Sequence, residues 1–178
     1  GLYLFLDGAR LGYGLAAPDN DLTLPEIAAL CDVFYIGGTK VGALFGEAVV
    51  IKNPELAQDF RYLIKQNGGM LAKGRLLGLQ FDALFTDGLY QEISDHAIAM
   101  AEKLREAFTA KGYTYLAPNR TNQIFVIVPD AHLAKISEQF EYSYDQRIDA
   151  AHSCVRFCTG WATKEENVDA LIRCVEKL

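Results

Sequence analysis

Two apolar runs, each stopping at a residue that can carry chemistry, constrain this chain most. Leu2-Tyr-Leu-Phe-Leu6 stops at Asp7, and Val33-Phe-Tyr-Ile36 stops at Gly37-Gly38, just ahead of Thr39 and Lys40. Short continuous apolar runs bounded by turn formers read as buried strands. Between them, Leu24-Pro-Glu-Ile-Ala-Ala-Leu30 starts a helix with proline in its first turn. Gly46-Glu-Ala-Val-Val-Ile51 reads as a further strand, ended by Asn53-Pro54. The succession implies a parallel sheet with right-handed crossovers. In such α/β proteins the loops at the carboxyl ends of parallel strands open into a crevice, where catalytic groups sit.

Asp7 and Lys40 each leave such a strand end. A carboxylate on one and a lysine on the next suit a cofactor with a cationic ring nitrogen at one side and an aldehyde at the other. Pyridoxal 5'-phosphate (PLP) has those two features, and its protein partners are a Schiff-base lysine and a charged residue on the ring nitrogen. Asp7 follows five apolar residues, so its carboxylate is expected to begin buried and to need a cation. A turn amide or Arg10 could satisfy it instead. Lys40 lies between glycines that let the backbone approach a ligand closely. Its amine must be neutral to attack an aldehyde, which partial burial beside another cation favours. The alternative for Gly-Gly-Thr-Lys is a plain surface turn.

Phe5-Leu-Asp-Gly-Ala-Arg-Leu11, Tyr35-Ile-Gly-Gly-Thr-Lys-Val-Gly-Ala-Leu-Phe-Gly-Glu-Ala-Val-Val50, Asn67-Gly-Gly-Met-Leu-Ala-Lys-Gly-Arg75 and Val155-Arg-Phe-Cys-Thr159 occur in that order. Together they resemble the low-specificity L-threonine aldolase and β-eliminating lyase family, PLP-dependent enzymes of the aspartate-aminotransferase fold. The resemblance implies an α/β fold: the second half of a PLP-dependent transferase-like large domain with a mostly parallel sheet, plus a small α+β C-terminal domain. It implies cleavage of a β-hydroxy-α-amino acid such as L-threonine or L-allo-threonine to glycine and an aldehyde. Another PLP reaction on the same fold, β-elimination or transamination, is the alternative within that class. A non-catalytic fragment or subunit that needs a partner half is the rival class.

The resemblance also assigns residues. Lys40 would hold the cofactor, Asp7 would pair with the ring nitrogen, and Thr39 would bind phosphate. Arg10 would serve the phenolic oxygen and the substrate carboxylate, and Arg156 would grip the substrate carboxylate. The open alternatives are an Arg10–Asp7 ion pair without ligand, a Thr39 that is an ordinary small hydroxyl in a turn, and a solvent-facing Arg156. Lys73 and Arg75 read as a solvated helix face, because Leu71 stands where the family has an arginine. The family is about twice this length and its N-terminal half carries the phosphate cradle, so that half is expected to be missing here. A cytoplasmic homodimer or homotetramer is implied.

Composition sets outer limits. The chain has 178 residues, 51% hydrophobic and 22% charged, which is globular rather than disordered. Seventeen basic against twenty-three acidic residues give a net charge of −6, which argues against nucleic acid as the main partner. No apolar stretch approaches the roughly 20 residues that span a bilayer. Cys31, Cys154, Cys158 and Cys174 form no C-x-x-C pair. Four extended residues put Cys154 and Cys158 about 13 Å apart, too far for one disulfide or one metal, and reduced thiols are the simple reading.

From Pro54 to Lys111 the pattern is helical, with a break at Gly68-Gly69. Beyond it, residues 113–116, 123–128 and 154–158 read as strands, and residues 133–140 and 164–178 as helices. Thr163 with Glu166 reads as a capping box for the last helix. His96 and His132 read as surface or helix-end residues, and His152, just ahead of the Arg156 strand, as an isolated residue with an approach to the site as its alternative. The expected division is 1–111 for the cofactor domain with bridging helices and 112–178 for the small domain.

Overall fold

The computed structural model describes all 178 residues. The chain divides into two compact units, residues 1–15 with 20–93, and residues 16–19 with 94–178. The division falls inside the long helix α6 (Leu89–Ala110).

In the first unit β1 (Phe5–Leu6) runs parallel to β2 (Val33–Gly37), with Phe5 opposite Val33 and Leu6 opposite Phe34. β3 (Glu47–Ile51) lies on the other side of β2 and runs antiparallel to it, so the expected parallel relation holds for β1 and β2 alone. Between β1 and β2 come α1 (Leu11–Leu15) and α2 (Leu24–Leu30). Thr23 and Glu26 cap α2 reciprocally: the Thr23 N–H donates to the Glu26 carboxylate at 2.7 Å, and Thr23 Oγ1 accepts the Glu26 N–H at 3.4 Å. Such a box contributes about 1 kcal/mol.

The first apolar run departs from expectation. Only Phe5 and Leu6 are strand, and residues 2–5 are exposed, Leu2 fully and Phe5 at 60%. β1 forms the sheet edge, with β2 as its one strand neighbour. Leu4 is tied back by its N–H to the Asp32 carboxylate at 2.8 Å and by its carbonyl, which accepts the Asp32 N–H at 3.0 Å.

The helical stretch after β3 is realised as α3 (Pro54–Ala57), α4 (Phe60–Gln66), α5 (Arg75–Phe85) and then α6, with the break at Gly68, where φ is +77°. No helix of the chain is long and apolar enough to cross a membrane.

The second unit is an antiparallel four-stranded sheet in the order β4 (Thr114–Tyr115), β5 (Gln123–Pro129), β7 (His152–Cys158), β6 (Ser143–Arg147). β5 alternates strictly, with Ile124, Val126 and Val128 fully buried. They pack with Leu104 and Phe108 of α6, Leu133 and Ile136 of α7 (Asp130–Ile136), and Val168, Leu171 and Val175 of α8 (Glu165–Glu176). Helices therefore cover one face of the sheet, as an alternating strand requires.

Two local expectations are corrected, and one strand had not been expected. α7 starts three residues earlier and ends earlier than the 133–140 pattern, because Pro129 supplies the N-terminal boundary. β6 is wholly exposed and polar but for Tyr144, so it carried no apolar period to reveal it. Lys164, not Thr163, is the N-cap of α8; Thr163 Oγ1 instead accepts the Gly160 N–H at 2.8 Å.

Candidate functional site

The loops that leave β1 and β2 pack backbone to backbone. The Gly37 N–H donates to the Gly8 carbonyl at 2.9 Å, and a Cβ on Gly8 would lie 1.7 Å from the Tyr35 carbonyl oxygen. A Cβ on Gly37 would lie 2.4 Å from the Ala9 carbonyl oxygen. Only glycine permits this approach, and it brings the turn after Asp7 against the turn before Lys40.

Side chains then lock both turns. Tyr90, buried, accepts the Gly12 N–H at 3.0 Å and donates to the Gly37 carbonyl at 3.1 Å, joining the two loops through one hydroxyl. Burial pushes its phenol up to about 12, so it is the neutral hydroxyl at any working pH. Tyr13, also buried, donates to the backbone carbonyl of Lys40. The Gly38 N–H is held by the Glu47 carboxylate at 2.7 Å, and Gln80 of α5 takes the N–H groups of Leu44 and Phe45 at 2.7 and 3.2 Å. Lys40 itself sits in a single 3₁₀ turn, Thr39–Val41, anchored by the fully buried Val41.

Asp7 is exposed, a correction to the buried carboxylate expected from the run before it: residues 2–5 of that run are themselves exposed, so it does not carry Asp7 into a core. Its Oδ1 accepts the Ala9 N–H at 3.0 Å and the Tyr35 hydroxyl. The Tyr35 bond first, then the Ala9 amide and the charges of Lys40 and Arg10, hold the carboxyl below its ordinary value. Its favourable contribution to folding is thus present above the unfolded pKa and is lost as the pH falls through the lowered folded one. The turn-amide alternative is realised, whereas no Arg10–Asp7 ion pair forms.

Lys40 is exposed rather than partly buried, and its amine has no protein partner. Arg10 is half-buried and likewise forms no ion pair. Thr39 is exposed, with its hydroxyl 3.5 Å from the Gly46 carbonyl. The structure thus brings Asp7, Arg10, Thr39 and Lys40 into one unit, on two adjoining turns. Lys73 and Arg75 are exposed.

Arg156 belongs to the second unit. It lies on β7 opposite Phe125 and Ser143, on the sheet face away from the helices. Nη1 donates to Gln123 Oε1 at 3.1 Å and the guanidinium lies 6.0 Å from the Phe125 ring centroid. It has no carboxylate partner, and its buried Nε is unbonded. Arg156 lines an open cleft of about 290 Å³ with Glu141, Tyr142 and Cys158. His152 is held by Asp149 at 2.9 Å, His96 meets the Thr163 carbonyl at 2.7 Å, and His132 pairs with the Tyr113 hydroxyl at 2.7 Å.

Sequence reasoning missed Tyr13, Tyr35, Tyr90, Glu47 and Gln80. Tyr35 was within reach: once β1 and β2 pair in parallel with Leu6 opposite Phe34, the next residues in register are Asp7 and Tyr35. Tyr90 lies seventy-eight residues from Gly12, and no local pattern carries that contact.

The sequence matches no family model. The backbone superposes on serine palmitoyltransferase from Sphingomonas wittichii with a TM-score of 0.68 at 16% identity, over 99% of this chain and 47% of that one. The fold is that of the fold-type-I PLP-dependent enzymes. A threonine aldolase structure from Leishmania major matches with a TM-score of 0.97 and 42% identity, over 99% of this chain and 52% of that chain. The low-specificity L-threonine aldolase of Pseudomonas aeruginosa is 29% identical over 174 residues, 97% of this chain and 49% of its own length. The chain is thus similar to threonine aldolases in sequence and structure, and it spans about half the length of the relatives it matches.

Proposed function

We propose that this chain is the C-terminal portion of a PLP-dependent carbon–carbon lyase that converts a β-hydroxy-α-amino acid, such as L-threonine or L-allo-threonine, to glycine and an aldehyde. The observation that carries the reading is the adjoining pair of turns that present Asp7 and Lys40 on glycines too crowded for any side chain. The donor set fits the cofactor. Asp7 is an ionised carboxylate with Oδ2 unbonded, Lys40 offers a free amine, and Arg10 a guanidinium with no acid partner. Thr39 has a hydroxyl whose one contact is at the limit of a hydrogen bond.

When bound, PLP supplies an aldehyde that bonds covalently to an amine and a ring that draws electrons from the substrate α-carbon. Lys40 provides the amine for attachment. Asp7 keeps a proton on the ring nitrogen by lending it a negative partner. Arg10 and Thr39 are assigned to the phenolic oxygen and the phosphate. Arg156 is assigned to the substrate carboxylate, because a half-buried guanidinium with an unbonded Nε and no acid of its own is suited to an incoming carboxylate. The division of labour into a cofactor part through 111 and a small domain from 112 belongs to the same proposal.

The exposed residues 2–5 and the open edge of β1 support a partner on that side. We assign it to the remaining half of such an enzyme, which would complete the phosphate cradle in a cytoplasmic homodimer or homotetramer. The test is borohydride reduction of the protein with PLP, followed by peptide mapping. Label on Lys40, and none in Lys40→Ala, is expected. Label on another lysine overturns the assignment.

A further inference from the structure

Asp7 uses its two carboxylate oxygens unequally. Oδ1 accepts both the Ala9 N–H, at 3.0 Å, and the Tyr35 hydroxyl, whereas Oδ2 accepts nothing from the chain. Tyr35 reaches Oδ1 because β2 presents it directly beyond the Leu6–Phe34 pair, and its ring is steadied by Phe5, with centroids 6.1 Å apart. The charged groups around the pair are Lys40 and Arg10, which favour the carboxylate, and Glu47, whose charge disfavours ionisation of the Tyr35 phenol.

We propose that Tyr35 is a positioning residue for Asp7: it fixes Oδ1 and leaves Oδ2 for the proton of the cofactor's ring nitrogen. This rests on the assignment of Asp7 to that nitrogen. A carboxylate that already accepts a phenol hydrogen bond competes less well for a shared proton. The proton then stays on the nitrogen, and the ring keeps its positive charge. The raised phenol pKa is the other side of the same bond, since ionising Tyr35 would remove the donor and set two anions together.

The test is a pH titration of carboxyl-¹³C aspartate in the protein expressed from its natural reading frame, the Asp7 signal being assigned by its loss in Asp7→Asn. Tyr35→Phe, which removes only the hydroxyl, is expected to raise the Asp7 midpoint in cofactor-free protein. Site-specific 3-fluorotyrosine at position 35, a stronger donor of nearly the same shape, is expected to lower it. A midpoint unchanged in Tyr35→Phe overturns the proposal. If that variant does not fold, an unmoved midpoint with 3-fluorotyrosine overturns it equally. Addition of PLP to the wild-type protein is expected to shift the Asp7 signal. Tyr35-dependence without any response to PLP would overturn the Asp7 assignment, and the role of Tyr35 with it.

Discussion

The two units solve the burial problem differently. In the second, α6, α7 and α8 cover one sheet face, and Phe108, Ile124, Val126, Val128 and Ile136 are sealed completely. In the first, residues 2–5 stand open, and α3 and α4 bury no residue at all. Yet Asp7 and Lys40 belong to the first. Beside the buried Val41 under the Lys40 turn, what holds their turns is polar: backbone bonds between glycines, the Tyr90 hydroxyl shared by two loops, the Tyr13 bond to Lys40, and the Glu47 and Gln80 clamps. The contrast separates stability from placement. Apolar burial is non-directional and keeps the second unit folded, whereas hydrogen bonds of fixed geometry set where the turns bearing Asp7 and Lys40 lie in the first.

The largest effect that would break this comparison lies in the sealed core. Phe108→Ala should cost about 3–5 kcal/mol, from lost transfer energy and the cavity left behind. Phe108 is fully buried, with its ring 5.3 Å from that of Phe157. Because there are two compact units, unfolding should be followed with probes in each rather than treated as one transition. Chemical denaturation is expected to shift the transition of the second unit far more than that of the first. Equal shifts would mean that the units share one cooperative core.

A middle-sized effect belongs to the polar clamp. Tyr90→Phe keeps the ring stacked on Phe85, with centroids 5.0 Å apart, but removes the hydroxyl that joins Gly12 and Gly37. Leaving buried backbone groups without that partner costs about 1–3 kcal/mol. Hydrogen exchange at Gly12, whose N–H loses its acceptor, should accelerate more than exchange in β5. Uniform acceleration would assign Tyr90 to global stability rather than to the loops.

Much of this organisation is legible in the chain itself, for physical reasons. β5 is readable because one face is covered and the other is not, so its period of two is written in Ile124, Val126 and Val128. β2 and α2 carry similarly local signals, an apolar run closed by glycines and a proline in the first turn. The motif residues at 7, 10, 39 and 40 stand out for the same reason, being polar groups at the exits of apolar runs. β6 is invisible because both of its faces are exposed and, but for Tyr144, polar. The solvent exposure of Asp7 is invisible too, since an apolar run says what could be buried and not whether a neighbour is there to bury it. The Tyr90 bridge depends on contacts across the unit, which no window of sequence contains.

The smallest effect sharpens the comparison most. Leu4→Ser alters an apolar side chain that is half exposed and whose backbone is already held by Asp32 and Val33. In these 178 residues alone the substitution should change stability by less than about 0.5 kcal/mol, as exposed sites do. In a longer polypeptide that includes the proposed remaining half, the same side chain would lie under a second layer. Its loss would then cost about 1.5–3 kcal/mol, the worth of burying a leucine. Thermal denaturation of both forms, each with and without the substitution, measures the difference. A near-zero effect in the longer form would mean that residues 2–5 are not where the remaining half packs. A large effect in the short form would mean that the first unit already buries them and that the contrast drawn between the two units fails.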